Sequence, residues 1–392
     1  TRTRRKQRRV MKIAFLSYDF PEYCIRHANE MAQSEEVLLL LPRNRAAEHE
    51  GLIDGRVRYA PFYRPRYRQP LRQLITLIRL LSRIRTFRPD VVHFQNGHMY
   101  FNLVLPLLRR FPLVITIHDA RQHLGDHEAL RTPQALMDFG FRRADQVIVH
   151  GASLIPVVER ELGFRSDDIH LIPHVAIGER PVSRPTADDG RTILFFGRIW
   201  EYKGLEYLIR AEPAVTARFP NARFVIAGTG EDFDRYRRMM VNPDRFEVHN
   251  DWIGEDRRAE MFAAASVVVL PYLEASQSGV IPVAYAFGKP VIATRVGGLP
   301  DIVDHGTTGL LVAPRDAPGL ADAILQLLED DAGRRRMGLA GKHKLERECS
   351  PAAVARQTLA VYRRAIGLRR PKRRSLGADS TDRACLEPQE VR

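Results

Sequence analysis

The sequence predicts an α/β protein made of two doubly wound, Rossmann-like domains that face each other across a cleft. Short apolar segments alternate with helical segments along most of the 392 residues. Six of these apolar segments precede residues 175–190 and six follow them, while 175–190 itself has no periodicity and contains Pro, Gly and Asp. Nearly continuous apolar strands between helices are typical of parallel sheets covered on both faces.

The predicted strands can be read directly from the sequence. In the first half they are KIAFLS, EVLLLL, DVVHFQ, LVITIHD, QVIVHG and IHLIPH, and in the second half TILFFGR, RFVIAGTG, FEVHNDW, SVVVLPY, PVIATRVG and GLLVAP. Ligands of doubly wound sheets bind beyond the carboxyl ends of the strands. The cleft between the two sheets is therefore the expected site.

Composition places the expected boundaries. We divide the chain into a basic N-terminal extension (1–10), a first domain (11–178), a linker (179–190), a second domain (191–348), a C-terminal helix (349–367) and a disordered basic and polar tail (368–392). No apolar run approaches the roughly 20 residues that cross a bilayer, so we expect no transmembrane helix. The apolar run IAFLS behind the N-terminal charges is too short for a signal peptide.

The formal net charge of +14 is concentrated in the terminal segments. Thirteen basic and no acidic residues lie in 1–10 and 361–374, which leaves the body nearly neutral. No nucleic-acid-binding motif accompanies this charge, so we expect no nucleic-acid partner. The three cysteines are widely spaced, which fits a reducing cytoplasm and argues against a disulfide framework.

Residues 59–88 contain eight arginines and no acid. On a continuous helix, Arg68, Arg72, Arg79 and Arg83 fall on one stripe. A basic amphipathic helix suits the surface of an anionic membrane, which predicts peripheral association with the inner face of the membrane. The alternative is a helix packed against its sheet with a solvated basic face.

Two glycine-containing turns follow predicted strands of the second half. FFGRIWEYKG (195–204) supplies Gly197, Arg198 and Lys203, and VIAGTGED (225–232) supplies Gly228 and Gly230. A third turn, RVGGLPD (295–301), also follows a strand. These turns would meet at one edge of one sheet, where two cations suit a diphosphate. Taken alone, each turn also fits an ordinary solvated surface.

The polar segment EASQSGV follows a buried strand and precedes a helix of small residues. Apolar residues would pack better there, so Glu274, Gln277, Ser278 and Gly279 suggest a ligand at the helix N-terminus, where free N–H groups favour anions. Ser and Gln are also ordinary helix-capping residues, which is the structural alternative.

In the first half, His118 and Asp119 end a strand, and His123 follows on the loop TIHDARQHLGDH. The spacing matches no common metal site, and a sugar-binding or catalytic polar pair or a structural cap fits better. His93 and His98 follow a neighbouring strand, where a structural role is the alternative to lining the cleft. No GxGxxG follows the first strand of either half, which disfavours nicotinamide enzymes.

Together, FFGRIWEYKG, VIAGTGED, PYLEASQSGVIPVAYAFGKPVIATRVGGLPDIV and HGTTGLLVAP resemble the family 4 glycosyltransferases of GT-B fold. The resemblance spans the second half and is looser in the first, in MKIAFLSYDFPEY, VVHFQ, TIHDARQHLGD and IHLIPH. It implies a retaining, metal-independent enzyme without a cofactor. The enzyme would move a sugar from a nucleotide diphosphate sugar to a glycan or lipid-linked acceptor. A nucleotide-sugar epimerase or phosphorylase-like enzyme and a non-catalytic sugar-nucleotide-binding protein are the alternatives.

The resemblance also implies roles for single residues. Arg198 and Lys203 match the family's diphosphate-binding pair, and His118 matches the histidine near the reacting sugar. We assign catalysis to His118 from this match, and to Glu274 because it is the only carboxylate in the segment EASQSGV. Donor binding is assigned to Gly197, Arg198, Lys203, Gly228, Gly230, Gln277, Ser278 and Gly279, and the acceptor side to Asp119, His123 and Tyr23.

The sequence departs from the family pattern in two places. The family commonly has two glutamates eight positions apart, where this chain has Ala275 and Val283, with Glu274 one position off. The usual Gly-Gly after the first strand is replaced by DFPEYC.

Overall fold

Two parallel sheets, each covered by helices on both faces, organise the protein. The structure is a computed structural model, and it describes residues 9–121, 132–177 and 188–369. The first sheet has seven strands in the order β3-β2-β1-β4-β5-β6-β7, and the second has six in the order β10-β9-β8-β11-β12-β13. This arrangement confirms the predicted pair of doubly wound, Rossmann-like sheets.

The first sheet and its helices come from the first half of the chain. Its strands are β1 (Lys12–Ser17), β2 (Glu36–Leu40), β3 (Arg58–Tyr59), β4 (Val91–Gln95), β5 (Leu113–Ile117), β6 (Gln146–Val149) and β7 (Ile169–Leu171). Its helices are α1 (Pro21–Met31), α2 (Arg43–Ala46), α3 (Pro70–Phe87), α4 (Met99–Val104), α5 (Gln134–Phe141) and α6 (Ile155–Leu162).

The second sheet follows the same alternation. Its strands are β8 (Thr192–Phe196), β9 (Arg223–Ala227), β10 (Phe246–His249), β11 (Val267–Leu270), β12 (Val291–Thr294) and β13 (Gly309–Val312). Its helices are α7 (Leu205–Arg218), α8 (Asp234–Arg237), α9 (Glu255–Ala264), α10 (Val280–Ala286), α11 (Leu299–Ile302), α12 (Ala317–Glu329) and α13 (Asp331–Lys344), followed by α14 (Pro351–Arg369).

Apolar strands bury both of their faces. Along β1, Ala14 and Leu16 pack into one helical layer, while Ile13 and Phe15 pack into the other. Alternate side chains of a strand point to opposite faces, so a strand covered on both sides must be apolar throughout. This requirement is why the strands could be recognised from continuous apolar runs.

Helix starts follow local chemistry. Pro21, Pro70 and Pro351 each open a helix, where a missing N–H costs nothing and the fixed φ suits the first turn. Asp316 Oδ1 accepts a hydrogen bond from Gly319 N at 2.9 Å and so caps α12.

The last helix, α14, packs against the first sheet although it follows the second in sequence. Val354, Tyr362 and Ala365 are fully buried among residues of the first domain. The Tyr362 hydroxyl lies 2.6 Å from Nδ1 of His93 on β4. The C-terminal helix therefore completes the core of the first domain.

The two domains also touch directly. Ala152 N donates to Asp301 Oδ2 at 2.7 Å, and Ala176 N donates to the Cys349 carbonyl at 2.7 Å. The first bond joins the two domains directly, and the second joins the two chain segments that run between them.

Two local predictions need correction. The two-residue strand β3 was missed, because Arg58–Tyr59 has no apolar run of its own. Helix α3 begins at Pro70, so Arg68 precedes the helix and does not share its basic stripe. Within residues 9–121, 132–177 and 188–369, no helix combines the length and apolarity that crossing a membrane requires.

Several predictions concern segments outside the described residues. These are most of the N-terminal extension (1–8), His123 on its loop (122–131), the end of the first domain (178), most of the linker (179–187) and the C-terminal tail from 370 onward.

Candidate functional site at the domain interface

His118 and Gln277 meet across the cleft. His118 follows β5 of the first sheet and is only 1% exposed, and Gln277 precedes α10 of the second. Gln277 Nε2 lies 3.0 Å from His118 Nδ1, and Gln95 Nε2 lies 2.5 Å from the other ring nitrogen. A neutral imidazole has one N–H and one lone pair, so one glutamine donates from Nε2, and the other accepts through its carbonyl oxygen once its Nε2 and Oε1 positions are exchanged. The contact brings together two residues that the sequence assigned to catalysis and donor binding.

Three histidines gather at the carboxyl edge of the first sheet. His150 directly follows β6, and its ring centroid lies 4.8 Å from that of His118 and 5.3 Å from that of His174, which follows β7. Burial, reinforced by the neighbouring histidines, lowers the pKa of His150 to about 3 and that of His118 well below its usual value. Burial lowers the pKa of His174 to about 4. The edge therefore presents neutral imidazoles, which both donate and accept hydrogen bonds.

Phe20 stacks on His118 and has an unusual backbone. Its ring centroid lies 4.3 Å from that of His118, with an angle of 23° between the rings. Phe20 has φ 57° and ψ 52°, in the left-handed region that favours glycine. It stands in the segment DFPEYC that replaces the family's usual glycines. The chain thus keeps a strained backbone there and places an aromatic ring over the site.

We expect the strain at Phe20 to be measurable by substitution. Ala and Gly both remove the ring, but only Gly adopts positive φ without a steric penalty, so Phe20→Gly should be about 1 kcal/mol more stable than Phe20→Ala. Urea unfolding of the two variants measures the difference. An alanine variant equal to or more stable than the glycine variant would show that Phe20 is not strained.

Tyr272 connects the predicted donor residues of the second domain. Its hydroxyl lies 3.3 Å from Ser278 Oγ, which also accepts a hydrogen bond from Val280 N at 3.2 Å. The Lys203 ammonium lies 3.7 Å from the centre of the Tyr272 ring. Burial raises the pKa of Tyr272, and the nearby positive charge of Arg198 opposes this rise. Arg198 and Lys203 therefore lie on the same side of the cleft as Ser278.

The glycines of this side are required by backbone packing. Gly228 has φ 144°, and a Cβ at this position would overlap the Gly197 carbonyl. A Cβ on Gly230 would overlap the Ile199 carbonyl in the same way. The two turns therefore pack backbone to backbone, and any donor contact by these glycines remains a prediction.

Glu274 lies half-buried in the loop between β11 and α10. The two positions where the family has glutamates, Ala275 and Val283, are buried and pack in the core of the second domain. Glu274 is the only carboxylate between Pro271 and Val283. Its catalytic role stays a prediction.

The remaining first-domain residues divide into two groups. Tyr23 is buried, with its ring centroid 4.6 Å from that of His174, and Asp119 follows His118 and is half-buried. Both lie at the edge to which acceptor-side roles were assigned. His93 and His98 belong to the core, because His93 bonds to Thr116 at 2.8 Å and His98 stacks on Tyr18.

One group of described side chains has the donor atoms that a metal ion needs. Ligand atoms of Glu22, His49 and Glu255 all lie within 4.8 Å of one another. Arg26 Nε lies 3.0 Å from Glu22 Oε1, and Arg258 Nη2 lies 2.7 Å from Glu255 Oε2. These guanidinium groups balance both carboxylates, which favours an ion-pair cluster between the domains.

Comparisons with known proteins identify the family. Residues 22–175 match the model described as glycosyltransferase family 4, and residues 190–330 match the model of glycosyl transferases group 1. An uncharacterized glycosyltransferase of Methanocaldococcus jannaschii is 32% identical over 300 residues, which cover 71% of this chain and 76% of that protein. The chain belongs to the family 4 glycosyltransferases. It is an enzyme of hexosyltransferase type, as the sequence predicted.

Other relatives of this glycosyltransferase agree. Glycogen synthase of Mycobacterium tuberculosis (strain CDC 1551 / Oshkosh) is 28% identical over 298 residues, which cover 73% of this chain and 71% of that protein. The crystal structure of Anabaena Alr3699/HepE in complex with UDP superposes with a TM-score of 0.68 at 17% identity, covering 90% of this chain and all of that chain. At this identity the structural likeness shows the fold, which is the GT-B arrangement that the sequence predicted.

Proposed function

We propose that this glycosyltransferase moves a sugar from a nucleotide diphosphate sugar to a glycan or lipid-linked acceptor, with retention of configuration. The observation that carries the proposal is the contact between His118 and Gln277, which joins the carboxyl edges of the two sheets at the point where such folds bind ligands. Arg198 and Lys203 supply positive charge on the donor side for the diphosphate. The complex of Alr3699/HepE with UDP supports a nucleotide as part of the donor.

The proposed chemistry follows from charges and hydrogen bonds of the chain itself. Cleavage of the bond between sugar and diphosphate leaves negative charge on the phosphate, which two fixed cations stabilise. When the sugar displaces Gln277 from His118 Nδ1, the neutral imidazole hydrogen-bonds to it without adding charge. Glu274 supplies a carboxylate that stabilises positive charge developing on the sugar ring. The Arg198 and Lys203 cations fill the role that a divalent metal ion has in many phosphate sites.

Replacing Arg198 or Lys203 with Ala should weaken donor binding by about 1.5–3 kcal/mol, since each removes a charge-assisted hydrogen bond. Titration calorimetry with nucleoside diphosphates and their sugars measures the change. Arg335→Ala is the matched control, because the Arg335 side chain is 74% exposed on α13. Unchanged affinity in both site variants would refute the assignment.

Release of nucleoside diphosphate that depends on acceptor separates the transferase from its rivals. An epimerase releases none, and a non-catalytic binding protein releases none under any condition.

A transferase that retains configuration gives a product with the anomeric configuration of the donor, which proton NMR distinguishes. Product of inverted configuration would contradict the retaining mechanism.

The proposed metal independence is tested separately. We expect full activity after divalent ions are removed with a chelator.

The acceptor side of the proposal includes peripheral association with an anionic membrane. Helix α3 supports it, since Leu71, Leu74, Ile75 and Ile78 are exposed to solvent on a basic helix. A lipid-linked acceptor would then be reached by an enzyme held at the membrane surface.

A further inference from the structure

Helix α3 has two apolar faces, of which the sheet covers only one. Leu77, Leu80 and Ile84 are buried in the core of the first domain. Leu71, Leu74, Ile75 and Ile78 project from the opposite face, with exposed fractions of 76%, 54%, 49% and 57%. At 100° per residue these four side chains fall within one stripe of about 100°. Packing against the sheet therefore does not explain this outer apolar stripe.

An exposed leucine also lies beside the C-terminal end of α3. Arg85 Nη2, near the end of α3, donates to the Leu107 carbonyl at 3.1 Å. The side chains of Leu103 and Leu107 are about half exposed. Contiguous exposed apolar surface of this kind marks an interaction site.

A basic cavity lies beside the stripe. It has a volume of about 270 Å³ and is lined by Arg43, Pro61, Phe62, Tyr63, Thr76, Arg79 and Arg83, with no carboxylate among them. Arg83 Nη1 donates to the Pro61 carbonyl at 2.8 Å, which fixes that wall. Arg43 and Arg79 are exposed, and among the described residues neither has a carboxylate within ion-pair distance. Three cations around one cavity, none of them paired with a carboxylate of the described residues, suit a phosphate group.

We propose that the cavity lined by Arg43, Arg79 and Arg83 binds the phosphate of an anionic phospholipid, while the outer apolar stripe enters the acyl region of the same leaflet. The occupant is an anionic bilayer because the arginine cavity and the apolar stripe lie on one surface, and such a bilayer presents phosphate beside hydrocarbon. A second protein would need no cavity lined by three arginines. The proposal rests on the membrane association proposed for this protein and is independent of sugar transfer.

The position of this surface suits an enzyme that works on a lipid-linked acceptor. The segment before α3 is tied to the turn after β1, because Arg64 Nη1 lies 2.8 Å from Asp19 Oδ1 and donates to the Tyr18 carbonyl at 2.9 Å. Asp19 precedes Phe20, which stacks on His118. The first turn of α3 therefore lies on the cleft side of the first domain, and docking there brings the cleft toward the membrane.

The test is co-sedimentation of the full chain with vesicles of phosphatidylcholine alone and of phosphatidylcholine with phosphatidylglycerol. Arg43→Gln combined with Arg79→Gln should lower partitioning onto the anionic vesicles about 30-fold. Each arginine contributes separately to binding, and the two factors multiply. Arg335→Gln combined with Arg336→Gln removes the same charge from α13, where both side chains are 74% exposed, and should leave the partitioning within a factor of about three of wild type.

Equal losses in the two double variants would overturn the cavity and leave a general charge effect. No binding of wild type to either vesicle would overturn membrane association and the cavity together. Competition by inorganic phosphate against the anionic vesicles at millimolar concentration would identify a free-phosphate site and would contradict the lipid assignment. These experiments measure vesicle binding and not sugar transfer, so a failure of the membrane proposal can be told apart from a failure of the proposed reaction.

A second measurement tests insertion of the stripe. Leu74→Trp should show stronger quenching by brominated lipids than wild type, because its ring enters the hydrocarbon. Leu339→Trp is the matched control, since Leu339 on α13 is exposed to a similar degree, 53% against 54% for Leu74. Equal quenching of the two variants would overturn insertion by this face.

Discussion

Lowering the pH from 7.5 to 5.5 should destabilise the first domain by about 6–8 kcal/mol, at roughly 1 kcal/mol or slightly more for each of six buried histidines. Burial lowers the pKa of all six below its usual value. They are His27, His93, His98, His118, His150 and His174. A loss of this size is comparable to the whole stability of an ordinary domain.

The sign follows from where the protons bind. Above about pH 7.5 the histidines are neutral in both the folded and the unfolded chain, so stability does not depend on them. Below the unfolded pKa of 6.5 the unfolded chain takes up protons, while burial keeps the folded histidines neutral, His27 down to its pKa of about 3 and His174 down to its pKa of about 4. Stability is therefore lost progressively as the pH falls from about 7 toward 4.

Hydrogen exchange followed by mass spectrometry resolves the two domains. Peptides from β4 and β5 should lose protection at pH 5.5, whereas peptides from β11 and β12 should keep it once intrinsic exchange rates are corrected for pH. Intrinsic tryptophan fluorescence does not serve, because Trp200 and Trp252 both belong to the second domain. Equal loss of protection in both domains would contradict the histidine mechanism.

His27 allows a single-site control. It is fully buried, and neither ring nitrogen has a hydrogen-bond partner among the residues that the structure describes. Its ring packs edge-on against Phe15 and Tyr23. His27→Phe should keep the ring packing and remove one histidine that takes up a proton on unfolding. Between pH 7.5 and 5.5 the free energy of unfolding of this variant should therefore fall by about 1 kcal/mol less than that of wild type.

Glu274→Gln should lower turnover about 100-fold and leave donor affinity within a factor of about three. The change is nearly isosteric, so a capping role would survive it, whereas stabilisation of positive charge in the transition state would not. Turnover and nucleotide-sugar affinity are measured on the same preparation. Glu329→Gln, on the exposed end of α12, is the matched control. Near-normal turnover in the Glu274 variant would remove this residue from catalysis.

The sheets were predictable because burial on both faces demands apolar strands. Of the thirteen strands in the described residues, twelve lie in segments that the sequence predicted. Strand β3 was missed because a two-residue edge strand pairs through its backbone without an apolar pattern. The path of α14 was not predictable, since its sequence shows that it forms a helix but does not show which sheet it covers.

The site was predictable in part. The rule that ligands lie beyond strand ends selected His118, and the same rule applied to QVIVHG and LIPH would have found His150 and His174. No pattern in the sequence indicated that Phe20 takes a left-handed conformation, because phenylalanine rarely does. The contact of His118 with Gln277 depends on how the domains close, which local patterns do not encode.

The return of α14 to the first domain has a consequence for synthesis on the ribosome. The strands of the first sheet emerge early, but one helical layer over them stays open until residues 351–369 have left the exit tunnel, after the whole second domain. Until then the apolar surface that Val354 and Tyr362 will cover is exposed to chaperones and to other nascent chains. The domain that is translated first is thus the last to be completed, and a ribosome stalled in the second domain holds an unfinished first domain.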